Sequence, residues 1–113
     1  MALKIIFMGT PDFAVPILKA IHGSDHKILE VYTQPPTKSG RGQKINHSKI
    51  HNYSEKLNLK VRCPTTLDTS EEINNIKKFN PDVVVVVAYG KILPTELLKI
   101  NNTLFINVHA SLL

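Results

Sequence analysis

Apolar positions along this chain follow two rhythms that alternate from end to end. Leu3 to Met8 is apolar except for Lys4 and stops at Gly9-Thr10-Pro11, which predicts a strand buried on both faces, then a turn. Asp12 is placed to cap a helix running to about His22, with Val15, Leu18 and Ile21, or Ala14, Ile17 and Ile21, along one face. Pro16 then falls in the first turn, where its missing N–H matters least, and Gly23 stands at the C-terminal cap. Lys27 to Thr33 predicts a second strand. Gln34 to Lys49 has no period and contains Pro35, Pro36, Gly40 and Gly42, so it reads as a loop of unusual length.

Beyond it, Ser48 can cap a short helix through Ile50, Tyr53 and Leu57, and Leu59 to Arg62 is a weak third strand. Thr69-Ser70-Glu71-Glu72 has capping-box spacing before Ile73 and Ile76, and Asn80-Pro81 ends that helix. Five consecutive valines, Val83 to Val87, fit a central parallel strand. Thr95 to Ile100 predicts a short helix and Leu104 to Val108 a last strand. This alternation gives an α/β fold: a Rossmann-like, doubly wound, mainly parallel sheet of about five strands with helices on both faces. Ligands of such sheets sit at the carboxyl ends of the strands. The loops at Gly9–Asp12, Gln34–Lys49, Ala88–Pro94 and His109–Leu113 are therefore the places for chemistry.

Composition narrows the class. The chain has 113 residues, 42% hydrophobic and 20% charged, which suits one globular domain. No apolar run is long enough to cross a bilayer, and the N-terminus lacks the long apolar region of a signal peptide. A single cysteine, Cys63, excludes an internal disulfide and a multi-cysteine metal site, and points to a reducing cytoplasm. It has no evident activating base and reads as a small buried apolar residue. The histidine pairs His22/His26 and His47/His51 lack a third ligand at metal spacing. The net charge of +5 permits an anionic partner without demanding one.

Three segments could carry function. Gly9-Thr10-Pro11-Asp12 joins a strand to a helix N-terminus, which either binds an anion or is a plain tight turn. It is not a GxGxxG fingerprint, which argues against a nicotinamide enzyme. The second loop holds Lys38, Arg41, Lys44, His47 and Lys49, with no acidic residue from Val31 to Ser54. Gly40-Arg41-Gly42 is either a mobile cation that can grip phosphate or part of a solvated loop. Asn107-Val108-His109 sets an amide and an imidazole on the same side of a strand's carboxyl end. An amide there can donate to a developing oxyanion, a contact whose removal typically costs ~10²–10³ in rate. The imidazole can move a proton near neutral pH, or simply be satisfied by backbone.

Taken together, the segments resemble the N-terminal part of the methionyl-tRNA formyltransferase family. The matching residues are Phe7 to Pro16 (FMGTPDFAVP), Val31 to Pro36 (VYTQPP), Gly40-Arg41-Gly42, Val85 to Pro94 (VVVAYGKILP) and Ile106 to Leu113 (INVHASLL). The Asn-x-His-x-Ser-Leu-Leu run marks the wider folate-dependent formyltransferases. The Gly-Thr-Pro-Asp-Phe-Ala and Gln-Pro-Pro segments narrow it to the tRNA enzymes. The resemblance implies transfer of a formyl group from N10-formyltetrahydrofolate to the amino group of methionine on initiator tRNA, with no metal. Asn107 and His109 are then the catalytic residues. Tyr89, Gly90, Ser111, Leu112 and Leu113 belong to the folate-binding segments. Lys38, Arg41 and Lys44 lie in the insertion that grips the tRNA acceptor end.

Residues 1–113 would thus be the N-terminal part of the catalytic domain. The family continues with a proline, an Arg-Gly segment, a catalytic aspartate and a C-terminal β-barrel domain that helps bind tRNA. Only four residues follow His109, so little or no catalysis is expected from this chain alone. The full enzyme is expected to be a monomer. In the short chain, Leu104–Val108 is expected to be an apolar edge open to association, with some of Val83–Val87 facing solvent. The other readings are a formyltransferase acting on a sugar or ribonucleotide amine, and a non-catalytic RNA-binding remnant.

Overall fold

The computed structural model describes residues 2–109; Ser111, Leu112 and Leu113 lie outside them. The elements run in the order β1 (Lys4–Gly9), α1 (Ala14–His22), β2 (Lys27–Tyr32), β3 (Thr37–Ser39), β4 (Lys44–Asn46), α2 (Lys49–Lys56), β5 (Val61–Arg62), α3 (Ser70–Phe79), β6 (Val83–Val87), α4 (Thr95–Leu98) and β7 (Leu104–Val108). Five strands form one parallel sheet in the order β5-β2-β1-β6-β7. The chain winds outward from β1 through β2 to β5, then returns to the other side of β1 for β6 and β7. The reversal between β1 and β6 is where a doubly wound sheet opens a crevice at its carboxyl edge.

Both faces of β1 and β6 are covered. Leu18 of α1 and Ile50 of α2 pack on Phe7, Val31, Val85 and Val87 from one side. Ile76 of α3 and Leu97 of α4 pack on Ile6, Met8, Val84 and Val86 from the other. All five valines of β6 are buried, none more than 8% exposed. The expectation that some would face solvent is therefore corrected: α1, α3 and α4 lie close enough to seal them. Two-sided burial also explains the unbroken apolar run, since neither face has water to satisfy. Among the described residues β7 has one neighbour strand, and Leu104 and Ile106 are 60% and 42% exposed, as expected for an edge.

The helix ends show how local sequence sets local structure. Ser48 Oγ accepts from the His51 N–H at 3.0 Å, and Thr69 Oγ1 from the Glu72 N–H at 3.2 Å. Asn80 turns left-handed to end α3 before Pro81. At α1 the expected cap is absent. The N-cap is Phe13, and the first amides are taken by backbone, Ala14 N–H by the Pro11 carbonyl and Val15 N–H by the Asp12 carbonyl. Thr10 to Phe13 is thus a tight turn with those two amides already engaged, which is the plain reading of this loop. Gly9 is required by packing, since a Cβ there would lie 2.9 Å from the Phe7 ring and 3.1 Å from the Val87 carbonyl.

Gln34–Lys49 is more ordered than its composition predicts. It contains the antiparallel hairpin β3–β4, with Lys38 opposite Ile45 and Ser39 opposite Lys44. Its turn is made by Gly40, Gly42 and Gln43 in left-handed conformations, closed by a bond from the Gln43 N–H to the Gly40 carbonyl. Neither strand buries a face against the body, so no apolar alternation marks it in the sequence.

Candidate active-site crevice

Hydroxyl groups fasten the carboxyl ends of β1, β2 and β6 together. Thr10 Oγ1 donates to the Tyr89 carbonyl at 2.9 Å and accepts from the Gln34 N–H at 3.2 Å. Thr33 Oγ1 reaches Thr10 Oγ1 at 3.5 Å and Ser48 Oγ at 2.7 Å. Gln34 Nε2 donates to the Gly90 carbonyl at 3.0 Å. Each polar side chain stands one or two residues past a strand end, where a buried backbone would otherwise lack partners. Thr10, Thr33 and Gln34 were not singled out from sequence as site residues. Their signal was present, as polar residues directly after apolar strands.

These bonds hold the turn after β6 in an unusual shape. Ala88 has φ +46° and Gly90 φ +88°, on either side of Tyr89. A left-handed alanine is strained, and such strain persists where surrounding structure enforces it. The Tyr89 ring is only 1% exposed and packs with Met8, Leu67 and Leu97. Among the described residues its hydroxyl has no hydrogen-bond partner, and burial pushes the phenol well above its usual range, so it stays neutral.

Next to this turn lies a cavity of about 440 Å³, within the range of small-molecule sites. Asn107 and His109 both border it, with Tyr89, Gly90, Lys91 and Leu93. Asn107 pairs with Val86 in register and so shares its sheet face; His109 follows two residues on, at the same parity. Both side chains are exposed. A second cavity of about 400 Å³, bordered by Thr66, Asp68 and Pro94, also touches Gly90 and Lys91. Asn107, His109, Tyr89 and Gly90 therefore come together in space, while Ser111, Leu112 and Leu113 fall outside the described residues.

Lys38, Arg41 and Lys44 lie apart from this crevice, all exposed on the hairpin. The register puts Lys38 and Ile45 on one face of the ribbon and Lys44 on the other, with Arg41 in the turn. Ile45 is 61% exposed between these cations.

Two polar groupings lie outside the crevice. Arg62 makes a two-pronged pair with Glu72, at 2.9 and 2.7 Å, and this pairing raises the guanidinium's proton affinity further. The Glu72 carboxylate thus turns to β5 although its spacing from Thr69 suggested a reciprocal capping box. Beside it Asn75 Nδ2 donates to Glu30 Oε1 and to Tyr32 Oη, all three residues being buried. The other grouping corrects the sequence reading of Cys63. Its Sγ lies 3.4 Å from Nδ1 of His51, a base twelve residues back on a different element. Among the described residues no set of His, Cys, Asp and Glu side chains is arranged to hold a metal ion. No helix among them is long and apolar enough to cross a membrane.

Fold and crevice define a doubly wound α/β protein with an amide and an imidazole at the carboxyl ends of β6 and β7, next to the sheet's topological switch. Its sequence matches the family model described as Formyl transferase over residues 3–113, and the chain belongs to that family. It is 54% identical over 114 residues to the methionyl-tRNA formyltransferase of Pelagibacter ubique (strain HTCC1062), covering 100% of this chain and 37% of that protein. It is 50% identical over 112 residues to the methionyl-tRNA formyltransferase of Sulfurihydrogenibium sp. (strain YO3AOP1), covering 98% and 36%. The corresponding protein of Alkaliphilus oremlandii (strain OhILAs) is 48% identical over 111 residues, again covering 98% and 36%. The chain thus spans a little over a third of the length of these curated relatives.

Proposed function

We propose that this chain is the N-terminal part of a methionyl-tRNA formyltransferase catalytic domain. Its crevice would serve transfer of a formyl group from N10-formyltetrahydrofolate to the amino group of methionine on initiator tRNA. The observation that carries this reading is the meeting of Asn107 and His109 at one cavity beside the Tyr89–Gly90 turn, in a chain of the formyl transferase family. The cavity's size suits a small-molecule donor, with Leu93 and Val86 supplying apolar wall beside the two polar groups.

In the reaction, the methionine nitrogen bonds to the formyl carbon and the bond from that carbon to the folate nitrogen breaks. Negative charge builds on the formyl oxygen, where the Asn107 amide N–H donates. The attacking nitrogen must lose a proton and the leaving nitrogen must gain one; His109 is the crevice group able to carry it. Gly90, together with Ser111, Leu112 and Leu113, contributes to the folate site. Tyr89 supports it from beneath, through its buried ring and bonded carbonyl. Lys38, Arg41 and Lys44 supply cations for the tRNA backbone, which favours tRNA over a sugar or ribonucleotide amine. A cytoplasmic address and a monomeric full-length enzyme follow from the same reading.

The test measures formyl transfer to methionyl-tRNA by the 113-residue chain and by the chain extended to the length of its relatives. The extended chain is expected to turn over, the short one not. Asn107→Ala in the extended chain should lower kcat/KM by about 10²–10³. An extended chain indifferent to that substitution, or one that formylates only sugar nucleotides, overturns the proposal.

A further inference from the structure

A second set of reactive side chains sits between α2 and the segment after β5. The Sγ of Cys63 is 3.4 Å from Nδ1 of His51, and Nε2 of the same ring is 2.7 Å from Oε1 of Glu55. Helical i,i+4 spacing on α2 brings His51 and Glu55 together, and β5 delivers Cys63 to them one residue past its end. With Glu55 accepting from Nε2–H, the Nδ1 lone pair faces the thiol. Nucleophile, base and orienting carboxylate thus stand in series, the arrangement that activates a weak nucleophile.

The surroundings define how such a thiol behaves. Cys63 is half-buried, His51 is 17% exposed and Glu55 62%, so the group borders water without being immersed in it. Burial, helped by the negative charge of Glu55, pushes the thiol above its ordinary range, so at rest it is protonated. A protonated thiol needs a base at the moment of reaction, and His51 is in place to be one. The other titratable neighbours are the His47 ring, 4.3 Å from the His51 ring, and the neutral Tyr89 phenol.

We propose that Cys63, His51 and Glu55 form a thiol-modification site whose co-substrate is a low-molecular-weight disulfide. His51 Nδ1 takes the thiol proton as the Cys63 sulfur attacks one sulfur of the disulfide. A new S–S bond forms to Cys63 while the reagent's S–S bond breaks. The leaving thiolate carries off the electron pair and receives the proton from the imidazolium, so the second product is a free thiol.

The probe is oxidised glutathione, added in excess to the folded 113-residue chain. Adduct formation is followed by intact mass across about pH 6 to 9. Cys63 is the sole cysteine, so an adduct has one address. The expected result is a mixed disulfide that forms readily at pH 7, where burial keeps the thiol protonated and a base is needed to draw off its proton. His51→Gln should slow the reaction at pH 7 about tenfold or more and leave it to free thiolate, so that the rate climbs only toward the alkaline end of the series. Glu55→Gln lies on an exposed helix face and keeps the test open should His51→Gln fail to fold. If Glu55 orients His51, this variant slows the reaction; if Glu55 merely repels the thiolate, it speeds it. A faster Glu55→Gln, an unchanged His51→Gln, or a folded chain that reacts only after unfolding in urea overturns the proposal.

Discussion

Ala88 and Gly90 share a left-handed backbone but stand in opposite relation to it. Ala88 holds φ +46° against its own Cβ, whereas Gly90 at +88° has no Cβ to oppose. Relieving a left-handed residue gains about 1–2 kcal/mol. Adding a glycine to the unfolded chain loses about 0.4–1 kcal/mol. Ala88→Gly is therefore expected to stabilise slightly, by ~0.5 kcal/mol, visible as a rise of a few degrees in Tm by calorimetry. Gly90→Ala should do the reverse. Its Cβ would meet the Gln34 amide that holds the Gly90 carbonyl, so strain and a lost hydrogen bond add to about 2 kcal/mol or more in a urea melt. Juxtaposition was legible in sequence where neighbours in the chain carried it, as for Asn107 and His109 at one cavity. It was hidden where the partner came from another element, as with His51 for Cys63 and Gln34 for Gly90.

Among the elements, those that bury a face were readable and those that do not were not. The valines of β6 and the capped helices α2 and α3 follow from burial pattern and cap chemistry. The hairpin β3–β4 gave no such signal because its packing is ribbon to itself, with Thr37, Lys38, Lys44, Ile45 and Asn46 all exposed. Its cations make a prediction at this scale. Arg41→Ala should leave the melting curve unchanged, weaken RNA binding, and reduce the slope of log affinity against log salt by about 1 in a filter-binding titration. Binding untouched by this change removes the hairpin from the RNA interface. The α3–β5 contact predicts the opposite profile. Glu72→Ala removes the two-pronged pair and leaves Arg62 the longer 3.5 Å contact to exposed Glu71; it should destabilise by about 2 kcal/mol, with Thr69→Ala costing about 1 for the cap.

At the scale of the whole molecule, β1 and β6 are covered on both faces, while the outer strand β7 leaves one face open among the described residues. β6 is buried to within 8% along its length, while on β7 Leu104 and Ile106 present apolar side chains to solvent. A strand in that state invites pairing with another chain. The 113-residue chain should therefore self-associate with rising concentration in sedimentation equilibrium, and Ile106→Lys should shift it toward monomer with Tm unchanged. Equal association of both forms would move the contact elsewhere.

The fastening of the crevice also has a direction. A hydroxyl owns a single proton. Thr10 gives its own to the Tyr89 carbonyl and Thr33 gives its own to Thr10, which leaves Ser48 to supply the proton between itself and Thr33. The series runs one way, from the cap of α2 to the floor of the crevice, and no member can turn around alone. Replacing Thr33 with valine would strand donors and acceptors on both sides of it, so its effect and that of Thr10→Val should fall well short of adding. A wedge at the start of one helix is in this sense wired to the mouth of the sheet.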